Sequence, residues 1–104
     1  MINSEFFTAD GLINGFKITG HSESAEHGQD IICAFVSSAG LMTANTITEV
    51  CGIKAYANAY DGFLEFKVLE SAENVQDILN GLKLHLTELE KEYPDNIKVI
   101  ITEV

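Results

Sequence analysis

The sequence predicts an α+β domain in the order ββαββαβ, a mainly antiparallel sheet with two helices packed on it. Three observations carry that prediction. Two Asp-Gly pairs, Asp10-Gly11 and Asp61-Gly62, each lie between strand-like residues and suit the two-residue hairpin turn, which needs positive φ. Two stretches, 31 to 50 and 71 to 93, place their apolar residues at helical spacing,. The closing run IKVIITEV is apolar or β-branched at nearly every position, the pattern of a buried strand.

In chain order, the first hairpin pairs residues 2 to 9 with 12 to 19. Its register is open, because Phe6 and Phe7 must point to opposite faces,. A polar stretch from His21 to Gln29 follows, with Gly28 as a flexible approach and Asp30 as a natural helix N-cap,. At about 100° per residue, the helix over 31 to 50 gathers Ile31, Ile32, Phe35, Val36, Ala39, Met42, Ile47 and Val50 on one broad apolar face,. At the edge of that face Cys33, Ser37, Gly40 and Ala44 form a stripe of small residues, along which a neighbouring element or a second subunit can approach closely.

The second hairpin alternates more cleanly. Ile53, Ala55, Ala57, Ala59, Leu64, Phe66 and Val68 share one face, and Lys54, Tyr56, Asn58, Glu65 and Lys67 the other,. The second helix opens at Ser71 or a near neighbour able to cap, and carries Val75, Leu79, Leu82, Leu86, Leu89 and Tyr93 at steps of four and three,. Pro94 ends it,. The repeated order of hairpin then helix hints at a duplicated unit.

With 104 residues, the chain is read as a single domain, 1–104, large enough to fold on its own core. Sixteen acidic residues oppose 6 basic ones, a formal net charge of −10. Such a surface repels phosphate backbones, so no direct nucleic-acid contact is expected, and it attracts a basic protein. The first ten residues, MINSEFFTAD, have neither a basic nor an apolar leader segment, which points to a cytoplasmic protein. No apolar run is read as approaching the roughly 18 residues of a membrane span, so no membrane contact is expected. In a cytoplasmic chain the two cysteines are expected as thiols. If 31 to 50 is one helix, Cys33 and Cys51 stand about 27 Å apart along its axis, far beyond the reach of a disulfide or a shared metal.

Each thiol is therefore judged alone. With Asp30 as N-cap, Cys33 is the third helical residue, where backbone N–H groups favour a thiolate. The carboxylate of Asp30 opposes this, so only a nearby imidazolium would make strong activation credible. His21 follows Gly20 at the end of the second strand and can meet the helix start, and His27, six residues before Cys33, is the competing base. An imidazole within hydrogen-bonding reach of a thiol is what a cysteine nucleophile needs. The plainer reading makes Cys33 a packed core cysteine and both histidines solvated loop residues. Cys51 beside Gly52 is read as structural, and His85 as a boundary residue of the second helix. His21, His27 and Cys33 could approach a metal, but no fourth ligand and no CxxC or HExxH spacing accompanies them. No phosphate loop or dinucleotide fingerprint is present, so neither metal nor cofactor is expected.

At these residues a family resemblance emerges. Gly20-His21, followed by GQDIICAFVSSA from Gly28, resembles the signature of the Prp family, ribosomal-processing cysteine proteases of bacteria whose ribosomal protein L twenty-seven is made with an N-terminal extension. The resemblance extends in size and element order over nearly the whole chain, and its specific part is residues 20 to 45. It implies a catalytic dyad of His21 and Cys33, supporting or substrate-binding roles for Asp30 and Ser37, a basic ribosomal protein as substrate, and a homodimer in which the Cys33-to-Ala44 stripe and Leu84 find something to pack on. Ser22 and Phe35 depart from the residues usual in the family. The stretch from 21 to 29 then reads as a lid that brings His21 to Cys33 when substrate arrives. Two other classes remain: a non-catalytic dimeric adaptor for a ribosomal or assembly partner, and a redox-sensing thiol.

Overall fold

The computed structural model describes residues 1–20 and 27–104, those of 27–30 by their backbone only. The order is ββαββαβ: β1 (Ile2–Ala9), β2 (Leu12–Thr19), α1 (His27–Asn45), β3 (Ala55–Tyr60), β4 (Phe63–Val68), α2 (Gln76–Glu92) and β5 (Ile97–Glu103). A π-helical turn, Thr46–Val50, extends α1, and a 3-10 turn, Glu73–Val75, leads into α2. The strands form one sheet in the order β3-β4-β2-β1-β5. All neighbours are antiparallel except β1 and β5, which are parallel.

Both Asp-Gly pairs turn hairpins. Asp10 and Gly11 have φ of 53° and 80°, and Gly62 has 76°. The open register of the first hairpin resolves at a bulge: Phe6 pairs with Phe16 and Phe7 with Gly15, then Thr8 pairs with Ile13. Phe6 thereby enters the core and Phe7 the opposite face. Rings of Phe6, Phe16 and Phe66 run across three strands, with centroids 6.1 and 5.3 Å apart. Both helices cover this face, α1 through Ile32 and Val36 with Ile47 of its π-helical extension, and α2 through Leu79, Leu82 and Leu86, all buried. Gln76 anchors α2 to β2 at two points: its Nε2 donates to the Ile13 carbonyl at 2.7 Å and its Oε1 accepts from the Ile13 N–H at 2.9 Å. Ser71 accepts the Glu73 N–H through Oγ at 3.3 Å, a local turn bond; the expected cap is not formed, since Ala72 before the 3-10 turn and Val75 before α2 make no side-chain cap bond.

Several expectations are corrected. Helix α1 begins at His27, so Asp30 lies inside the helix and is not its N-cap. The buried face of α1 is narrower than the plotted one. Ile31, Phe35, Met42 and Val50 are 52%, 47%, 70% and 79% exposed, because the sheet covers only the Ile32, Val36 and Ile47 side. Gly40 faces the sheet, where an added Cβ would lie 2.8 Å from both Ile18 Cδ1 and Leu64 Cδ2, and Ala44 is buried in the core. Part of the small-residue stripe is thus used within the protomer. Ala57 and Ala59 face the same way as Phe66 and Leu64, as the alternation predicts, yet both are exposed, since β3 is an edge of the sheet. Nor is β5 a buried strand. It is the other edge, with Ile97 buried and Ile101 half exposed. Finally, Ile31–Val50 has a mean hydropathy of 1.5 and is long and apolar enough, by composition, to cross a membrane, where the sequence reading saw no such run. Its serines, threonines and glycine interrupt the apolar pattern without adding charge. In the structure one side of this helix is the lid of the core.

Candidate active site

Cys33 is half-buried on α1. It is the seventh residue of a helix that starts at His27, not the third, so the favourable field of a helix N-terminus, which fades within the first turn, is not what distinguishes it. Its neighbourhood does. Cys33, Ser37 and Leu41 recur at every fourth position and form one ridge along the helix. That ridge walls a cleft of about 150 Å³, faced by Gly20 at the end of β2 and by the β3–β4 turn, Tyr60, Asp61, Gly62 and Phe63. Ser37 therefore shares the cleft with Cys33, as their spacing predicts.

Gly20 ties three segments together. Its φ is 93°, its N–H donates to the Gly62 carbonyl at 3.0 Å, and a Cβ in its place would run into the carbonyl oxygen of Met1. A side chain here would displace the start of β1 from the end of β2, which is why only glycine suits the position. The rings of Tyr60 and Phe63 stack at 4.7 Å and 6°, which stiffens the turn opposite the thiol. Asp61 is the acidic residue of the described lining, and none of the 6 basic residues belongs to it. This gives the cleft an acidic character.

Sequence reasoning missed the turn as part of the site. Asp61-Gly62 was legible as a hairpin, but its position beside Cys33 depends on β4 pairing with β2, and no local pattern announces that pairing. His21, with residues 21 to 26 of the lid expected over 21 to 29, lies outside the described residues, and residues 27 to 29 are the first of α1 rather than loop. Asp30 stands three residues before Cys33 in the helical backbone, and His27 opens the helix. Cys51, expected to be structural, is exposed; its backbone N–H donates to the Thr46 carbonyl at 2.9 Å, so the position matters to the π-turn through its backbone. His85 sits at the border of an apolar groove between α1 and α2, in keeping with a boundary residue. Among the described residues no group of three or more potential metal ligands converges.

Comparison with known proteins bears on this cleft. The family model for cysteine protease Prp matches residues 1–98. The ribosomal processing cysteine protease Prp of Bacillus subtilis is 30% identical over 97 residues, covering 86% of this chain and 87% of that protein. Its counterpart from Staphylococcus aureus is 27% identical over 93 residues, covering 86% and 88%. In fold, the chain is similar to the crystal structure of the essential ribosomal processing protease Prp from S. aureus in complex with a substrate peptide, with a TM-score of 0.88, 24% identity, and 98% of this chain and 100% of that one covered. The same enzyme with a covalently linked product peptide matches with a TM-score of 0.86 and 25% identity, at the same coverage.

Proposed function

The chain belongs to the Prp family of cysteine proteases, and from that premise we propose that it removes the N-terminal extension of ribosomal protein L twenty-seven during ribosome assembly, by a dyad of Cys33 and His21. The observation that carries the proposal is the half-buried thiol of Cys33 in a cleft whose facing wall includes Gly20, the residue directly before His21. In the reaction the His21 imidazole takes the thiol proton and the sulfur attacks the scissile carbonyl carbon. The C–N bond then breaks as imidazolium protonates the leaving amine. Water, deprotonated by the same imidazole, hydrolyses the thioester and restores the thiol.

Ser37, one turn beyond Cys33 in the cleft, is assigned to substrate or thiol contact. Asp30 lies in the helix and not at its cap, so its assigned part is electrostatic, holding or orienting His21. The substrate is a basic protein, and both the net charge of −10 and Asp61 in the cleft favour its approach. We assign the enzyme to the cytoplasm as a homodimer. The outward Phe35 and Met42 on α1, which with Ile78 and Leu89 of α2 line an apolar groove, support a partner surface.

The deciding experiment incubates the protein with the same organism's extended ribosomal protein L twenty-seven and follows trimming by mass spectrometry. Trimming should disappear in Cys33→Ala and fall at least about 10²-fold in His21→Ala, with a much smaller loss in His27→Ala. The reverse order of the two histidine variants would move the base to His27. Binding without any trimming would favour the adaptor.

A further inference from the structure

The two edges of the sheet are treated differently. Along β5, the Ile97 N–H donates to the Tyr93 carbonyl at 3.1 Å and the Val99 N–H to the Glu90 carboxylate at 2.7 Å, so α2 and its C-terminal turn occupy outward donors of that strand. Along β3 no such cover exists among the described residues. Its sequence, AYANAY, has no charge and no proline, and no bulge interrupts its pairing with β4. Charge, proline and bulges are the usual means of blunting an edge, and β3 has none of them.

The pairing also fixes which backbone groups face outward. The Leu69 N–H donates to the Lys54 carbonyl at 2.9 Å. Because antiparallel pairing alternates, residues 54, 56, 58 and 60 turn their backbone groups to β4, and Ala55, Ala57 and Ala59 turn theirs away. All three are alanines, so no bulky side chain stands over the outward N–H and carbonyl groups. At its far end the strand runs into the site, since Ala59 and Tyr60 line the cleft that holds Cys33.

We propose that the outer edge of β3 is the docking strand for substrate: an extended segment of the substrate polypeptide pairs with Ala55, Ala57 and Ala59 and is led past Ala59 to Cys33. The proposal rests on the protease reading above and adds to it how the peptide is held. Strand addition draws its affinity from main-chain hydrogen bonds, and continuity with the cleft selects substrate over a second copy of the chain as the occupant.

The test uses a synthetic peptide spanning the junction of the extended ribosomal protein, N-methylated at one backbone nitrogen at a time. Strand pairing has a period of two, so kcat/KM should fall about tenfold at alternate positions on one side of the scissile bond and little at those between. In the protein, Ala57→Pro removes an N–H that the β3–β4 ladder does not use, a position where an edge strand tolerates proline. It should raise KM about tenfold while leaving kcat, thermal unfolding and the alkylation rate of Cys33 by iodoacetamide unchanged. A flat methylation profile overturns the proposal, and this readout needs no altered protein. A dimer that Ala57→Pro converts to monomer with KM unchanged also overturns it, by giving the edge to a second copy. Failure to cleave the unmethylated peptide at all is a different result and would count against the protease reading itself.

Discussion

Gly20→Ala adds three costs at one position. Gly20 has φ of 93°, outside the region open to residues with a Cβ, and such strain costs about 1–3 kcal/mol. The new methyl would meet the Met1 carbonyl oxygen, a backbone atom that cannot rotate aside, so β1 or β2 must shift. That shift endangers the 3.0 Å bond from Gly20 N–H to the Gly62 carbonyl, worth about 1 kcal/mol. The total is about 2–4 kcal/mol, a large share of the roughly 5–15 kcal/mol that holds a domain folded. At about 4–8 °C per kcal/mol for a domain near this size, Tm should drop by roughly 10–25 °C. Gly11→Ala is the matched control: φ is 80°, and nothing lies within 4 Å of the added Cβ, so only the strain remains, about 1–2 kcal/mol. Melting curves by circular dichroism compare the two, and cleavage measured well below both midpoints should be lower in Gly20→Ala alone, because its shift moves a wall of the cleft. Equal destabilisation by the two substitutions would refute the steric argument.

Asp30→Asn should reduce cleavage and leave the melting temperature unchanged, since Asp30 lies within α1 and does not cap it; a fall in melting temperature with full activity would return it to a structural role. Leu79→Ala removes a fully buried side chain from α2 and should cost about 2–5 kcal/mol in urea unfolding, a smaller loss meaning that the site collapses around the cavity. Ser4 has a fully buried hydroxyl with no hydrogen-bond partner among the described residues, so Ser4→Ala should raise stability by about 1 kcal/mol in the same assay; a decrease would show that the hydroxyl is satisfied in solution. Cys51→Ala should leave cleavage untouched, because that thiol is exposed and away from the cleft, and loss of activity would contradict the placement.

What the sequence disclosed follows from the range of each interaction. Turn chemistry is local, so Asp10-Gly11 announces its hairpin, and its positive φ values follow. The spacing of Leu79, Leu82 and Leu86 reports a helix face directly. The four-residue step from Cys33 to Ser37 likewise places both side chains in one cleft. The edge position of β5 is different, because Val, Ile and Ile in succession look the same in a central strand as in an edge strand with its outer side half covered. The start of α1 was hidden because His27, Gly28 and Gln29 carry no apolar periodicity. The β3–β4 turn entered the site through the pairing of β2 with β4, and the Gln76 clamp on Ile13 joins residues far apart in sequence. The pairing of His21 with Cys33 came from family resemblance and not from spacing.

The parallel pairing of β1 with β5 has a kinetic consequence. β1 meets β2 across a two-residue turn, but it meets β5 only by joining Ile2 to Ile97, nearly the whole length of the chain away. Closing a loop of that length costs about 4 kcal/mol in its length-dependent part alone, and Val99 of the late strand is also held by Glu90 of α2. During synthesis the first hairpin can form early, while β1 keeps one side vacant until residues 97–103 have been made and have paired with it. The cleft, whose lining includes Ile2, acquires its settled shape only once β5 is in place.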